Sequence, residues 1–326
     1  MKIAITGGAG FIGSHLTKAY LDAGHDVLVI DNLLHGSRRA IDPRARFYHL
    51  DIRDGKLRTL FQRERPDLVS HHAALYGKQQ DIPGGQPLAN ADVHIRGLLN
   101  VLESSVDAVV SKVIFASGGN TLYGRVKPEH LPITEDTPLC PQHPSDISTV
   151  AGEWYVRYYA HYYGLTYTIL RYADVYGETD ATLARHPLSY FICMLQEQRR
   201  PIIRGARDEV RDHIFIDDVV RANLRALTGG ENQTLHISSG RGYTLSQLYR
   251  LVADVLRSEI EPVYISGSLV ETTSIVLDNT RARHVLGWNP EVNLSAGIRQ
   301  AMDLLHKQSE PPVPLQIREV CLQVAT

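Results

Sequence analysis

Apolar positions in the first half of the chain fall into short β-rich runs that alternate with stretches of helical spacing. The runs are Ile3–Ile5, Asp26–Ile30, Arg46–Leu50, Asp67–His71, Lys112–Ala116 and Thr166–Arg171. Ser14–Ala23, Leu98–Ser104 and Ala151–Tyr163 carry the helical pattern between them. Repeated alternation of this kind predicts an α/β fold, with a doubly wound parallel sheet covered by helices on both faces. After residue 172 the rhythm breaks, and turn signals appear at Pro187, Pro201, Gly205, Gly240 and Gly267. The expected division is 1–172 for the sheet domain, 173–309 for a smaller C-terminal substrate-binding region and 310–326 for a tail after Glu310-Pro311-Pro312. Residues 208–240 are expected to rejoin the main sheet, through the stretch Arg211–Val219.

The first strand runs into Gly7, Gly10 and Gly13, a helix follows, and the second strand ends on Asp31. This is a Rossmann-type unit for a dinucleotide. Gly7 allows the tight turn, Gly10 lets backbone N–H groups reach a pyrophosphate, and Gly13 lets helix and strand pack closely. The positive end of the helix dipole faces the phosphates. A carboxylate about 20 residues on accepts hydrogen bonds from the adenosine ribose and repels a 2′-phosphate. Asp31 therefore favours NAD over NADP, with Arg38 and Arg39 nearby pulling the other way.

Composition narrows the picture. The chain has 326 residues, 43% of them hydrophobic, and a formal net charge of −2, so no basic field invites nucleic acid. The three cysteines, Cys140, Cys193 and Cys321, have no metal spacing and form no even disulfide set. No metal is expected. No apolar run reaches the roughly 20 residues of a membrane span, and the first strand begins at Lys2. These features point to a cytoplasmic protein.

Further motifs follow in order: Leu50-Asp51-Ile52-Arg53-Asp54, His71-His72-Ala73-Ala74, Leu122-Tyr123-Gly124, Leu170–Gly177, Arg211-Asp212, Asp217-Asp218-Val219 and Leu286-Gly287-Trp288-Asn289-Pro290. With the glycine turn, they resemble the extended short-chain dehydrogenase/reductase family, in particular its NAD-dependent nucleotide-sugar epimerases and dehydratases. The resemblance runs from Lys2 to about Leu305. It implies that Asp51 and Ile52 hold the adenine and that Ala73 and Ala74 line the cofactor. Phe11, Ile12 and Asn32 complete the cofactor set. It also implies that Arg211 meets the pyrophosphate of a nucleotide sugar, which suits a forked guanidinium. An ion pair with Asp212, Asp217 or Asp218 is the alternative for Arg211.

The same resemblance exposes a departure. The family's chemistry rests on a Ser/Thr and on a Tyr and Lys four residues apart. Aligning Ala151-Gly152-Glu153 puts Ser145 at the Tyr position and Thr149 at the Lys position, while the Ser/Thr position falls on Gly118 or Gly119. Ser117, Asn120 and Thr121 remain close by. His94 and Asp174 stand where the family tends to use Asn. A carboxylate at Asp174, in the substrate subsite, costs affinity for a pyrophosphate unless it is protonated or paired.

Candidates for the missing chemistry are His143, His94, Ser117, Ser145, Thr149 and Tyr123. A histidine suits acid–base work near neutral pH. Each candidate has a plainer role as well, in a Pro-bracketed loop, a helix face or the core. Tyr76 and Lys78 also come near the cleft in sequence, and His71 and His72 read mainly as sheet residues. Tyr155, Tyr159 and Tyr162, with Tyr158 beside them, share a face of one helix, which suits a homodimer interface. The reading is an atypical NAD-dependent epimerase or dehydratase acting on a nucleotide sugar or related polyol, with a non-standard acid/base. Two alternatives are a silent NAD-binding sensor or scaffold and a non-redox enzyme that keeps NAD structurally.

Overall fold

The computed structural model describes residues 1–75, 86–177, 186–204, 209–265 and 274–308. Tyr76, Lys78, Cys321 and the 310–326 tail lie outside them. Twelve strands and ten α-helices are present among the described residues. The strands are β1 (Lys2–Thr6), β2 (Asp26–Asp31), β3 (Arg46–His49), β4 (Leu68–His71), β5 (Lys112–Gly118), β6 (Thr166–Tyr172), β7 (Asp174–Tyr176), β8 (Ile202–Arg204), β9 (Val210–Phe215), β10 (Gln233–Ile237), β11 (Gly242–Thr244) and β12 (Val263–Ile265). The helices are α1 (Phe11–Asp22), α2 (Lys56–Glu64), α3 (Pro87–Asn90), α4 (Leu98–Asp107), α5 (Pro144–Tyr163), α6 (Pro187–Gln196), α7 (Ile216–Ala226), α8 (Leu245–Leu256), α9 (Thr280–Leu286) and α10 (Leu294–Gln308). Wider, π-type turns at Ala91–Gly97 join α3 to α4.

The main sheet is parallel, in the order β10-β6-β5-β4-β1-β2-β3. Alternate side chains leave opposite faces. Ile3, Ile5, Val27 and Val29 pack under α1 and α7 with Leu16, Tyr20, Val219 and Ala222. Ala4, Leu28 and Ile30 pack on the other face with Leu57, Phe61, Val101 and Val156 of α2, α4 and α5. Both faces are buried, which is why these strands read as continuous apolar runs. Strand order reverses between β1 and β4, and such a switch point opens a crevice at the carboxyl ends of the strands.

One expected pairing is corrected. The stretch Arg211–Val219 does not enter the main sheet: β9 pairs with β7 and β11 in a separate three-stranded sheet, and Ile216 already begins α7. Helix α7 carries the chain back over the sheet, and β10 becomes the strand beside β6. The cause is local. A single residue, Ala173, separates β6 from β7, so the chain peels away from the main sheet and offers Asp174–Tyr176 to β9. That detour sets Asp174 beside the carboxyl ends of β5 and β6.

Candidate active site

The glycine turn is shaped for a close ligand. Gly7 has φ +72°, and a Cβ there would lie 2.7 Å from the backbone of His72 and Ala73. A Cβ on Gly13 would lie 2.2 Å from the Gly7 carbonyl oxygen, so only glycine lets α1 sit this close to β1. Gly10 caps α1 without a side-chain hydrogen bond. The first N–H groups of the helix, at Phe11 and Ile12, therefore point outward for an anion. Asp31 Oδ2 accepts the Ala9 N–H at 3.0 Å and Oδ1 the Leu33 N–H at 2.7 Å, which fixes the carboxylate beside the turn. Arg38 stacks on the Phe47 ring, 4.3 Å from its centroid. At the next strand end, Asn32 Nδ2 donates to Asp51 Oδ2 at 2.8 Å. Hydrogen bonds from Arg53 hold the Asp51 carboxyl well below the usual carboxylate range. Ile52 is buried beneath Gly97, where a Cβ would meet it at 2.6 Å. Ala73 and Ala74 follow β4 across the crevice. The glycine turn, the open N–H groups at the start of α1 and the fixed Asp31 carboxylate fit a dinucleotide such as NAD.

The six acid–base candidates separate. Ser117, Arg171 and His236 lie in one row across β5, β6 and β10. Helix α5 covers that row with Glu153. Ser117 Oγ donates to Glu153 Oε1 at 2.7 Å, and Arg171 grips Glu153 through Nε (2.8 Å) and Nη2 (2.6 Å). Tyr123 Oη accepts from Arg171 Nη1 at 2.7 Å and bonds His236 Nε2. Burial raises the Tyr123 pKa far above that of a working phenol. Ser117 and Tyr123 are thus parts of one buried hydrogen-bonded row. His94 Nε2 accepts the Leu75 N–H at 2.9 Å, and burial pushes its pKa down to about 4. It anchors the chain leaving β4. Thr149 Oγ1 donates to the Ser145 carbonyl one helical turn back, at 2.9 Å. Ser145 and His143 do sit at the start of α5, where His143 is exposed. His71 Nδ1 bonds Thr6 Oγ1 at 2.8 Å, and His72 Nε2 bonds Ser70 Oγ at 2.9 Å, so both are tied to the sheet.

At the substrate end, Arg211 pairs with Asp174 (Nε to Oδ2, 3.2 Å), and not with Asp212, Asp217 or Asp218. Burial works against ionisation of Asp174, yet the guanidinium holds its carboxyl below the ordinary range. Asp212 is used elsewhere, accepting the N–H groups of Ser239 and Gly240, and Asp218 pairs with Arg221. His213 lies in register with Asp174, and its ring meets that of His186 at 5.2 Å. Both ring nitrogens of His213, His186 Nε2, Asn120 Oδ1 and Asp146 Oδ2 are buried without a hydrogen-bond partner among the described residues. Buried polar atoms are normally bonded. These atoms gather near Asp174 and Arg211.

Asn120 stands in the sequence only as a neighbour of Ser117, and Asp146, His186 and His213 carry no motif of their own. His213 stands directly after Arg211-Asp212, and Asp146 directly after the changed Ser145. Those positions were the available signals. Among the described residues no set of three His, Cys, Asp or Glu side chains could hold a metal ion, and no helix is long and apolar enough to cross a membrane.

The profile of the NAD dependent epimerase/dehydratase family matches residues 3–238. UDP-glucose 4-epimerase of Mycolicibacterium smegmatis is 32% identical over 317 residues, covering 95% of this chain and all of the relative. The crystal structure of Thermotoga maritima UDP-glucose 4-epimerase with UDP-glucose superposes with a TM-score of 0.89 at 36% identity, over 95% of this chain and 100% of that one. The Thermus thermophilus UDP-glucose 4-epimerase complex with NAD gives 0.86 at 30% identity, over 94% and 100%. Fold, cofactor crevice and sequence agree, and the chain belongs to the NAD dependent epimerase/dehydratase family.

Proposed function

We propose that the protein is an NAD-dependent epimerase of a nucleotide sugar that works with a non-standard proton-transfer group. The observation that carries this reading is the dinucleotide cradle at Gly7–Gly13 and Asp31, with the Asp174–Arg211 pair and a group of buried polar atoms without partners among the described residues near the carboxyl ends of β5 and β6. When bound, NAD takes a hydride from a sugar carbon and returns it. The chain's own residues do the rest. The α1 N-terminus and Asp31 orient the cofactor. Arg211 keeps four further N–H donors for phosphate oxygens beyond the Nε–H given to Asp174. The unpartnered atoms of Asn120, His186 and His213 meet sugar hydroxyls. Similarity to the UDP-glucose complex supports a UDP-hexose as the first substrate to try.

Purified protein loaded with NAD is offered UDP-glucose and UDP-galactose, and the sugar products are separated. Interconversion is the expected result. A melting temperature that responds to NAD but to no nucleotide sugar removes this reading in favour of an NAD-binding sensor or scaffold. An epimerase whose NAD can be exchanged for an unreactive analogue without loss of activity points to the non-redox alternative.

A homodimer is part of the proposal. Trp154, Tyr155, Tyr158 and Tyr162 are exposed along α5, Trp154 by 65%, whereas Tyr159 is buried in the core. The exposed aromatic stripe therefore excludes Tyr159 and adds Trp154. Aromatic enrichment of this kind suits a subunit interface. Light scattering of W154E/Y158E is expected to report a monomer, and an unchanged mass removes this face from the assembly.

A further inference from the structure

The start of α5 and the loop after β5 hold one pair that the reading above does not use. Thr121 Oγ1 donates to Asp146 Oδ1 at 2.8 Å, and Ser145 Oγ reaches the same oxygen at 3.4 Å. Asp146 is only 8% exposed, and its Oδ2 is buried without a partner among the described residues. Thr121 itself is exposed. Arg211 and His143 are the charged or titratable groups near enough to act on the Asp146 carboxyl. Burial pushes Asp146 up from the ordinary aspartate range, against the pull of the Thr121 hydrogen bond. A helix N-terminus favours its charged form. The carboxyl therefore takes a proton more readily than an ordinary aspartate, and Thr121 Oγ1 links it to an exposed position after β5.

We propose that Thr121 and Asp146 form the proton relay of this enzyme, Thr121 touching the sugar hydroxyl and Asp146 storing its proton. This rests on the NAD-dependent reading above. The pair joins the two elements, the β5 loop and the start of α5, that supply the Ser/Thr and the Tyr in the resembled family. In the oxidation half, the substrate O–H bond breaks and its proton goes to Thr121 Oγ1 as the Thr121 proton goes to Asp146 Oδ1. The O–H electron pair becomes the second bond of C=O, and the hydride leaving that carbon is taken by NAD. Reduction reverses each transfer, and the proton on Asp146 is restored to the sugar oxygen. Ser145 and Thr149 hold no comparable store, because neither hydroxyl changes charge near neutral pH.

The test uses the NAD-loaded full chain with T121V, T121S and D146N, each near-isosteric. T121V and D146N are expected to lower kcat about 100-fold, the usual share of a general acid–base group. The double variant is expected to be no slower than either single, because the two act as one unit. T121S is expected to keep the wild-type rate, NAD affinity is expected to stay unchanged throughout, and T121V is expected to lose only about 1 kcal/mol of stability with its one donor to Asp146. Infrared difference spectra give a second readout: a protonated-carboxyl band that is absent in D146N and titrates at higher pH in T121V. Rates within twofold of wild type in T121V, multiplicative losses in the double variant, or an Asp146 band indifferent to T121V each overturn the relay. Free hexoses and polyols are run beside the UDP-hexoses. If only a free polyol reduces the bound NAD and D146N abolishes it, the relay stands and the nucleotide-sugar reading falls. If wild type oxidises nothing, the relay falls with it.

Discussion

Asp174 Oδ2 accepts the Nε–H of Arg211 at 3.2 Å, so the cation proposed to meet the phosphates is already paired with an anion. The carboxylate that disfavours a pyrophosphate in the sequence is thereby accommodated in the fold, at the expense of the arginine's field.

Replacing Asp174 with Asn removes the anion and keeps the shape. UDP is expected to bind about tenfold more tightly to D174N, equivalent to about 1.4 kcal/mol, with the gain shrinking at high salt. Calorimetric titration with UDP measures it. Equal or weaker binding would show that Asp174 does not oppose the phosphates.

Ser145 and Thr149 are one helical turn apart on α5, with Thr149 Oγ1 bonded to the Ser145 carbonyl. The S145Y/T149K variant reinstates the family's phenol and cation on that turn. UDP-hexose interconversion is expected to rise by about 100-fold or more, and the pH–rate profile to acquire the limb of a depressed phenol. No gain would mean that the crevice no longer presents a sugar to α5.

The Arg171–Glu153 pair is fully buried and doubly bonded. R171M leaves the buried Glu153 with Arg157 (Nη2 to Oε2, 3.2 Å) and Ser117 as its remaining partners and is expected to cost about 3 kcal/mol of stability. S117A removes only one donor to the same carboxylate and is expected to cost about 1 kcal/mol with kcat unchanged. Urea denaturation separates the two, and a loss of kcat in S117A at full stability would return Ser117 to the chemistry.

Burial holds His71, His72, His213 and His236 down to about 3 and His94 to about 4, from an unfolded value of 6.5. Between those values the unfolded chain binds protons that the folded chain does not. Stability is therefore complete above pH 6.5 and falls as pH drops towards 4 and then 3. Each such imidazole contributes about 1.4 kcal/mol per pH unit across its window. H94Q keeps an acceptor for the Leu75 N–H but cannot titrate. Its stability–pH slope is expected to be shallower than that of wild type by one proton between pH 6.5 and 4, and an identical slope would show that His94 is already protonated in the fold.

The dinucleotide half was legible in the sequence because each of its devices is local. Gly7, Gly10 and Gly13 fall within one strand–turn–helix unit, and Asp31 ends the next strand, so spacing alone brings them together. The candidate proton donors were not legible in the same way. Ser117 and Tyr123 look available in the sequence, but strand register aligns Ser117 with Arg171 and His236, and α5 brings Glu153 down on the row. No spacing rule links residues 117, 153, 171 and 236.

By itself the sequence determined a parallel α/β sheet and a dinucleotide turn, because hydrophobic period and glycine geometry act over a few positions. Only the tertiary structure decided which side chains are spent on the scaffold and which still face the cleft. Long-range register and the peeling of β7 away from the main sheet set Asp174 against Arg211, leave both His213 nitrogens and His186 Nε2 without partners among the described residues, and join Thr121 to Asp146. Those are contacts between segments far apart in the chain, fixed by how the layers pack.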